Sequence, residues 1–243
     1  MANLKRPGGE LASRPLHFIW VVDCSGSMYG EKIGTVNHAI QSTIPEMADA
    51  AKDNPNAQLL VRTLKFSTGA SWVTTAPVRI EDFAWDDLDA GGVTDLGKAF
   101  EMLAAQLTIP PMSERALPPV LVLLSDGQPT DDYKKSLDKL LHLPWGKKAV
   151  RIAISIGQDA DDDVLEQFTG NRELVLQANN PQALVKMIKW ASTAASVVSA
   201  PASRPKDVEE FAVSKDPGAS NAPLVLDMNN IPDPASIGAG DVW

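Results

Sequence analysis

Residues Phe18 to Met28 read FIWVVDCSGSM. An unbroken apolar run stops at Asp23, and Asp23, Ser25 and Ser27 then follow at two-residue spacing. Apolar runs of this kind suit a buried strand. Alternate side chains of an extended segment point the same way. One carboxylate and two hydroxyls would therefore converge on one point at the strand's end. Hard oxygen donors of this type suit Mg²⁺, Mn²⁺ or Ca²⁺. Taken alone, Ser and Asp after a strand also serve as caps of the next helix.

Working outward, strand and helix signals alternate. The first strand is Leu16 to Asp23. Glu31 to Ala51 has helical spacing through Ile33, Val36, Ile40, Ile44, Met47 and Ala51, with a kink expected at Pro45. Gln58 to Phe66 is a second strand and Ala70 to Thr75 a short edge strand. EDFAWDDLDAGG (Glu81 to Gly92) is an acidic connection, expected to be a solvated loop in which Trp85 is a candidate contact residue. Thr94 to Leu107 is helical. The run PPVLVLLSDGQPTD then gives a central strand, buried on both faces, that ends at Ser125, Asp126 and Gly127. Helices over Asp131 to His142, Asp161 to Thr169 and Pro181 to Ala195 follow, with strands at Ala149 to Ile156 and Glu173 to Leu176. The pattern predicts an α/β fold, a Rossmann-like doubly wound and mainly parallel sheet with helices on both faces.

Three regions are expected: an N-terminal extension over 1–15, the α/β body over 16–195, and a C-terminal tail over 196–243. The tail is rich in Pro, Ala, Ser, Gly and Asp and could not build its own core. Its apolar island is Ala222 to Ile231. Leu224, Val225, Leu226 and Ile231, with Trp243 as a second anchor, are candidate contacts to the body or to a partner.

The chain has 243 residues, 44% hydrophobic and 22% charged, ordinary for a globular protein. Its formal net charge of −9 argues against a nucleic-acid backbone as partner. Cys24 is the single cysteine, which excludes an intrachain disulfide framework and a thiolate-rich zinc site. The three histidines, His17, His38 and His142, form no metal-binding spacing with one another. No apolar run approaches the roughly 20 residues of a membrane span. The polar stretch MANLKRPGGELASRP lacks the apolar core of a secretory signal, so a cytoplasmic location is expected.

Two further segments complete the set begun at Asp23. GGVTDLGKA (Gly91 to Ala99) places Thr94 just before a helix, and SDGQPTD (Ser125 to Asp131) places Asp126 at the end of a central strand. Ligands of doubly wound sheets bind beyond the carboxyl ends of strands, where the winding reverses. The strands ending at Asp23 and Asp126 would be neighbours there, with the Thr94 loop closing the ring.

With these residues in view, the segment from Leu16 to Ala195 resembles a von Willebrand factor type A (VWA) domain. Asp23, Ser25 and Ser27 match the DxSxS of its metal-ion-dependent adhesion site (MIDAS), Thr94 the lone threonine and Asp126 the distal aspartate. The contexts GGxTDLG and SDGxPTD are most similar to bacterial TerY-like proteins, associated with tellurium resistance and stress operons. The resemblance implies that Ser25, Ser27 and, in one state, Thr94 give hydroxyl oxygens to a metal, Mg²⁺ first. Asp23 and Asp126 would hold it directly or through water, and a partner's Glu or Asp would complete it. It further implies a non-enzymatic interaction module. Its partners would include a protein kinase, a metal-dependent serine/threonine phosphatase or other tellurium-resistance proteins.

Two alternatives stand beside this reading. One is an adaptor of a AAA+ ATPase of the chelatase or MoxR type. The other is a haloacid-dehalogenase-like phosphatase, which needs a second acid two residues after the first, where this chain has Ser25. Cys24 is expected to face away from the ligands, as a buried small residue. Asp95 is expected to be a helix first-turn acid, as are Asp159, Asp161, Asp162 and Asp163.

Overall fold

The computed structural model describes residues 13–52, 57–199 and 231–232. Its centre is β1 (Arg14–Asp23) beside β5 (Val120–Ser125), two parallel strands in which Phe18 to Val22 face Val120 to Leu124. Nearly every residue of both strands is buried, which is why neither alternates apolar with polar. On the other side of β1 lies parallel β2 (Ala57–Ser67), then antiparallel β3 (Gly69–Trp72) at the edge; β4 (Val78–Arg79) also pairs with β2. Beyond β5 come parallel β6 (Val150–Ile156) and β7 (Val175–Ala178), giving the order β3-β2-β1-β5-β6-β7.

The two faces are covered by different helices. Phe18, Trp20, Val22, Val122 and Leu124 pack with Val36 and Ile40 of α1 (Glu31–Lys52) and Leu184 and Ile188 of α6 (Pro181–Ser199). Ile19, Val21, Leu121 and Leu123 pack on the opposite face, against α2 (Leu96–Gln106), α3 (Tyr133–His142) and α5 (Asp162–Thr169). The chain therefore winds to one face after β1 and to the other after β5. The switch point expected between Asp23 and Asp126 is present.

The structure departs from the sequence reading at short or tethered segments. The helix around Pro45, α1, ends at Lys52, one residue past the expected end. The edge strand stops at Trp72, and two-residue β4 and five-residue α4 (Pro144–Lys148) had no periodicity to reveal them. β7 starts at Val175, after a 3₁₀ turn over Arg172–Leu174, and α6 runs past residue 195 to Ser199. The acidic connection is stapled to α1 and is not a free solvated loop. The Asn37 side-chain amide donates to the Leu88 carbonyl at 2.9 Å; its oxygen accepts from the Leu88 N–H at 2.9 Å and from Trp85 Nε1 at 3.2 Å. Trp85 accordingly packs against the core instead of standing out as a contact residue. In the tail, Ile231 is half-buried and packs against the α1/α6 side of the core, whereas Leu224, Val225, Leu226 and Trp243 lie outside the described residues.

Candidate metal centre

Three loops meet beyond the carboxyl ends of β1 and β5, and hydrogen bonds join them. Asp23 ends β1 fully buried. The Ser25 N–H donates to Asp23 Oδ1 at 2.8 Å, folding the chain into a 3₁₀ turn over Gly26–Met28 that is anchored by the buried Met28 side chain. The Ser25 and Ser27 hydroxyls lie 3.0 Å apart, with Ser25 buried and Ser27 exposed. The second loop is tied to this turn by Gly26 N–H to the Gly92 carbonyl (3.0 Å) and Gly91 N–H to the Cys24 carbonyl (2.7 Å). Gly92 has φ +86° and lies against Thr68, so a side chain there would be strained and would also clash.

The third loop follows β5. Ser125 Oγ donates to Asp23 Oδ2 at 2.6 Å and itself accepts from the Gly127 N–H at 2.9 Å. This hydroxyl joins the two strand ends directly. Asp126 is 3% exposed, and its Oδ1 is buried with no hydrogen-bond partner among the described residues. Thr94 is also buried; its N–H donates to Thr130 Oγ1 at 3.1 Å and its carbonyl accepts from the Thr130 N–H at 2.8 Å.

Burial pushes the Asp23 carboxyl up to about 6. Hydrogen bonds from Ser125 and Ser25 oppose that shift, and the negative charge of Asp126 adds to it. Two buried carboxylates thus share a strand junction, and one oxygen is left without a donor. A cation would relieve both conditions. No cluster of three or more His, Cys, Asp and Glu forms among the described residues. The donors on offer are two carboxylates and three hydroxyls, all hard oxygens, and they fit a hexacoordinate divalent cation better than a soft one.

The other candidates take structural places. Cys24 is buried among the α1-side core residues, as expected, and burial pushes its thiol up to about 12. Asp95 precedes α2 but does not cap it; its Oδ2 accepts from the Gly69 N–H at 2.7 Å and so holds the β2–β3 turn. The first turn of α2 instead receives the Asp131 carboxylate, which accepts from Gly97 N–H (3.0 Å) and Lys98 N–H (3.2 Å). Asp161 caps α5 by accepting from the Asp163 N–H, and Asp162 accepts from Ser155 and Gln177. Ser125, Thr130 and Asp131 were visible in sequence only as motif context. A Thr-Asp pair just before a helix would ordinarily be read as the cap of that helix, whereas here it serves a different one.

The family model for the von Willebrand factor type A domain matches residues 18–190. The chain belongs to the VWA family. Among solved structures, the pilus adhesin SpaC of Lactobacillus rhamnosus GG superposes with a TM-score of 0.60 at 15% identity, over 74% of this chain and 30% of the adhesin. A mussel byssus proximal thread matrix protein with a zinc-occupied MIDAS motif superposes with a TM-score of 0.57 at 18% identity, over 77% of this chain and 49% of that protein. Manganese-loaded TRAP protein of Plasmodium vivax gives 0.50 at 16% identity, over 72% of this chain and 74% of TRAP. The chain thus spans less than half of the first two. None of the curated proteins compared with it matches. These likenesses carry the fold alone.

Proposed function

We propose that this VWA domain is a divalent-cation-dependent protein-interaction module. The observation that carries the reading is the buried, unpartnered Asp126 Oδ1 in the same loop cluster as the buried Asp23. Asp23 and Asp126 would supply the negative charge, and Ser25, Ser27 and Thr94 neutral oxygens. A Mg²⁺, Mn²⁺ or Ca²⁺ ion held this way supplies an acceptor position for an outside carboxylate. Two protein carboxylates balance a dication, so a Glu or Asp of a protein partner can add to it without competing with a protein-supplied third acid.

The module is proposed to be non-enzymatic. The motif segments hold no histidine, and their one basic side chain, Lys98, is exposed and paired with Glu101 Oε2 at 3.1 Å. A proton-transfer group would have to come from the metal-holding acids. The contexts GGVTDLG and SDGQPTD favour a bacterial, cytoplasmic, TerY-like setting. The partner there would be a protein kinase, a metal-dependent phosphatase or another tellurium-resistance protein. The tail segment 222–231 is proposed to dock through Leu224, Val225, Leu226 and Ile231, with Trp243 as a second anchor.

Calorimetric Mn²⁺ titration tests the centre. One site is expected in the wild type. Asp23→Ala should weaken it by about a hundredfold or more, and Ser25→Ala by about tenfold, since affinity follows ligand charge. Undiminished binding by Asp23→Ala protein would overturn the assignment. A partner captured with Mg²⁺ should be released by EDTA; retention would place the contact elsewhere.

A further inference from the structure

Thr94 is the one candidate ligand that comes from neither β1 nor β5, so something must fix its loop against theirs. The described hydrogen bonds identify what does. Thr130 takes both backbone groups of Thr94, accepting from its N–H at 3.1 Å and donating to its carbonyl at 2.8 Å. Asp131, the next residue, spans the first turn of α2 with both carboxylate oxygens, at 3.0 Å and 3.2 Å from the Gly97 and Lys98 nitrogens. Gly97 is required for this approach, because a Cβ there would lie 2.8 Å from Asp131 Oδ2. From the other side, the Asp95 N–H donates to the Ser67 carbonyl at 2.9 Å, and Asp95 Oδ2 holds the Gly69 N–H. The backbone of Thr94 is thereby committed, while its hydroxyl makes no hydrogen bond among the described residues.

We propose that Thr130 and Asp131 are positioning residues of the metal centre, fixing the Thr94 loop to the Asp126 loop so that the Thr94 hydroxyl is presented as a ligand. Both residues belong to the loop that carries Asp126, four and five positions after it, so the clamp sets the position of Thr94 relative to Asp126. A carboxylate is suited to this task. The first N–H groups of a helix have no partner within the helix, and negative charge there is favoured by the helix dipole. Breaking the clamp frees the loop without touching a ligand. The inference rests on the cation reading given above.

The test is a double-mutant cycle on the full chain, read as Mn²⁺ affinity by calorimetry. Asp131→Ala is expected to weaken Mn²⁺ binding by about tenfold, as loss of outer-shell partners typically does. Asp131→Asn, which keeps one acceptor oxygen, should restore part of it, and Thr130→Val should weaken binding in the same direction. In a Thr94→Val background, Asp131→Ala should cost little further, because the hydroxyl it positions is gone. A second readout needs no metal. In Asp131→Ala protein, the amide of Thr94 should exchange faster, although its own bond to Thr130 is untouched. If the wild type binds Mn²⁺ and Asp131→Ala binds equally well, or loses affinity equally in both backgrounds, the positioning role is wrong. A wild type that binds no Mn²⁺ would instead remove the cation reading, and this inference with it.

Discussion

Two buried charged groups in this molecule are treated in opposite ways. Arg62 of β2 is 8% exposed and has no carboxylate partner among the described residues, yet each of its three guanidinium nitrogens donates a hydrogen bond. Nη1 donates to Gln106 Oε1 at 2.6 Å, Nη2 to the Thr75 carbonyl at 2.9 Å and Nε to the Thr74 carbonyl at 3.3 Å. The Trp72 ring lies 3.8 Å from the guanidinium carbon. Asp126 is as deeply buried, but one of its oxygens has nothing to accept from. The first group is satisfied by its own protein and holds the β2–β3 edge to α2. The second is the group that we propose is completed from outside the chain. Burial alone does not distinguish the two charges; among the described residues, what differs is that Asp126 keeps a buried oxygen without a hydrogen-bond partner.

The largest expected effect puts that contrast to the test in metal-free protein. Arg62→Ala strands two carbonyls and the Gln106 oxygen and leaves Trp72 uncovered, so it should cost about 3 kcal/mol. For a chain of this size that is roughly 6–12 °C of melting temperature. Asp126→Ala removes an oxygen that has no partner among the described residues, and should change metal-free stability by no more than about 1 kcal/mol. Thermal melts in EDTA at pH 7.5 measure both. Equal losses in the two variants would show that Asp126 is structural, and would break the comparison.

His17, on β1, sharpens the same point through pH. Burial, with the charge of Arg62 adding, lowers its pKa below the ordinary histidine value. Below about pH 6.5 the unfolded chain therefore binds a proton that the native chain refuses. Stability is full above that pH and falls as pH drops toward the lowered native value. The loss is at most about 1.4 kcal/mol per pH unit. His17→Leu should flatten chemical-denaturation stability between pH 6.5 and 5.5 relative to the wild type. An unchanged slope would mean that His17 is not the group responsible.

What the sequence made legible follows the range of each interaction. The five proposed oxygen donors could be nominated from sequence because spacing along a strand and motif context are local properties. So were the long buried strands themselves, since apolar runs such as VLVLL admit few other fates, and with them the pairing of the strands that end at Asp23 and Asp126. The staple from Asn37 to Trp85 and Leu88 joins residues about 50 positions apart, and nothing in a run of acids announces that it will be tied down. Asp95 and Asp131 illustrate the same limit. Both precede helices, and helix-start rules give each a cap, but tertiary geometry makes Asp131 serve α2 and turns Asp95 to the β2–β3 turn. Ser125 was overlooked because its neighbour Asp126 drew the motif's meaning, whereas the serine hydroxyl is what binds β5 to Asp23.

The smallest expected effect lies at the tail, and it contrasts with the candidate metal end. The candidate metal end is closed by directional hydrogen bonds between its loops, while the described part of the tail touches the body through a half-buried Ile231. Full burial of an isoleucine is worth roughly 1.5–3 kcal/mol, so a half-buried one gives about 1 kcal/mol. Ordering the residue costs about the same, near 1–2 kcal/mol. The two nearly cancel, so Ile231→Ala should lower the melting point by less than about 4 °C. Ile231→Asp should do more, because a carboxylate set against the α1/α6 side of the core must either be desolvated without a partner or pull the segment away. The pair is informative together: a small loss with Ala and a larger one with Asp fixes Ile231 on the core in solution. If Ile231→Asp melts with the wild type, the contact contributes nothing, and the tail's apolar island has no hold on the domain through this residue.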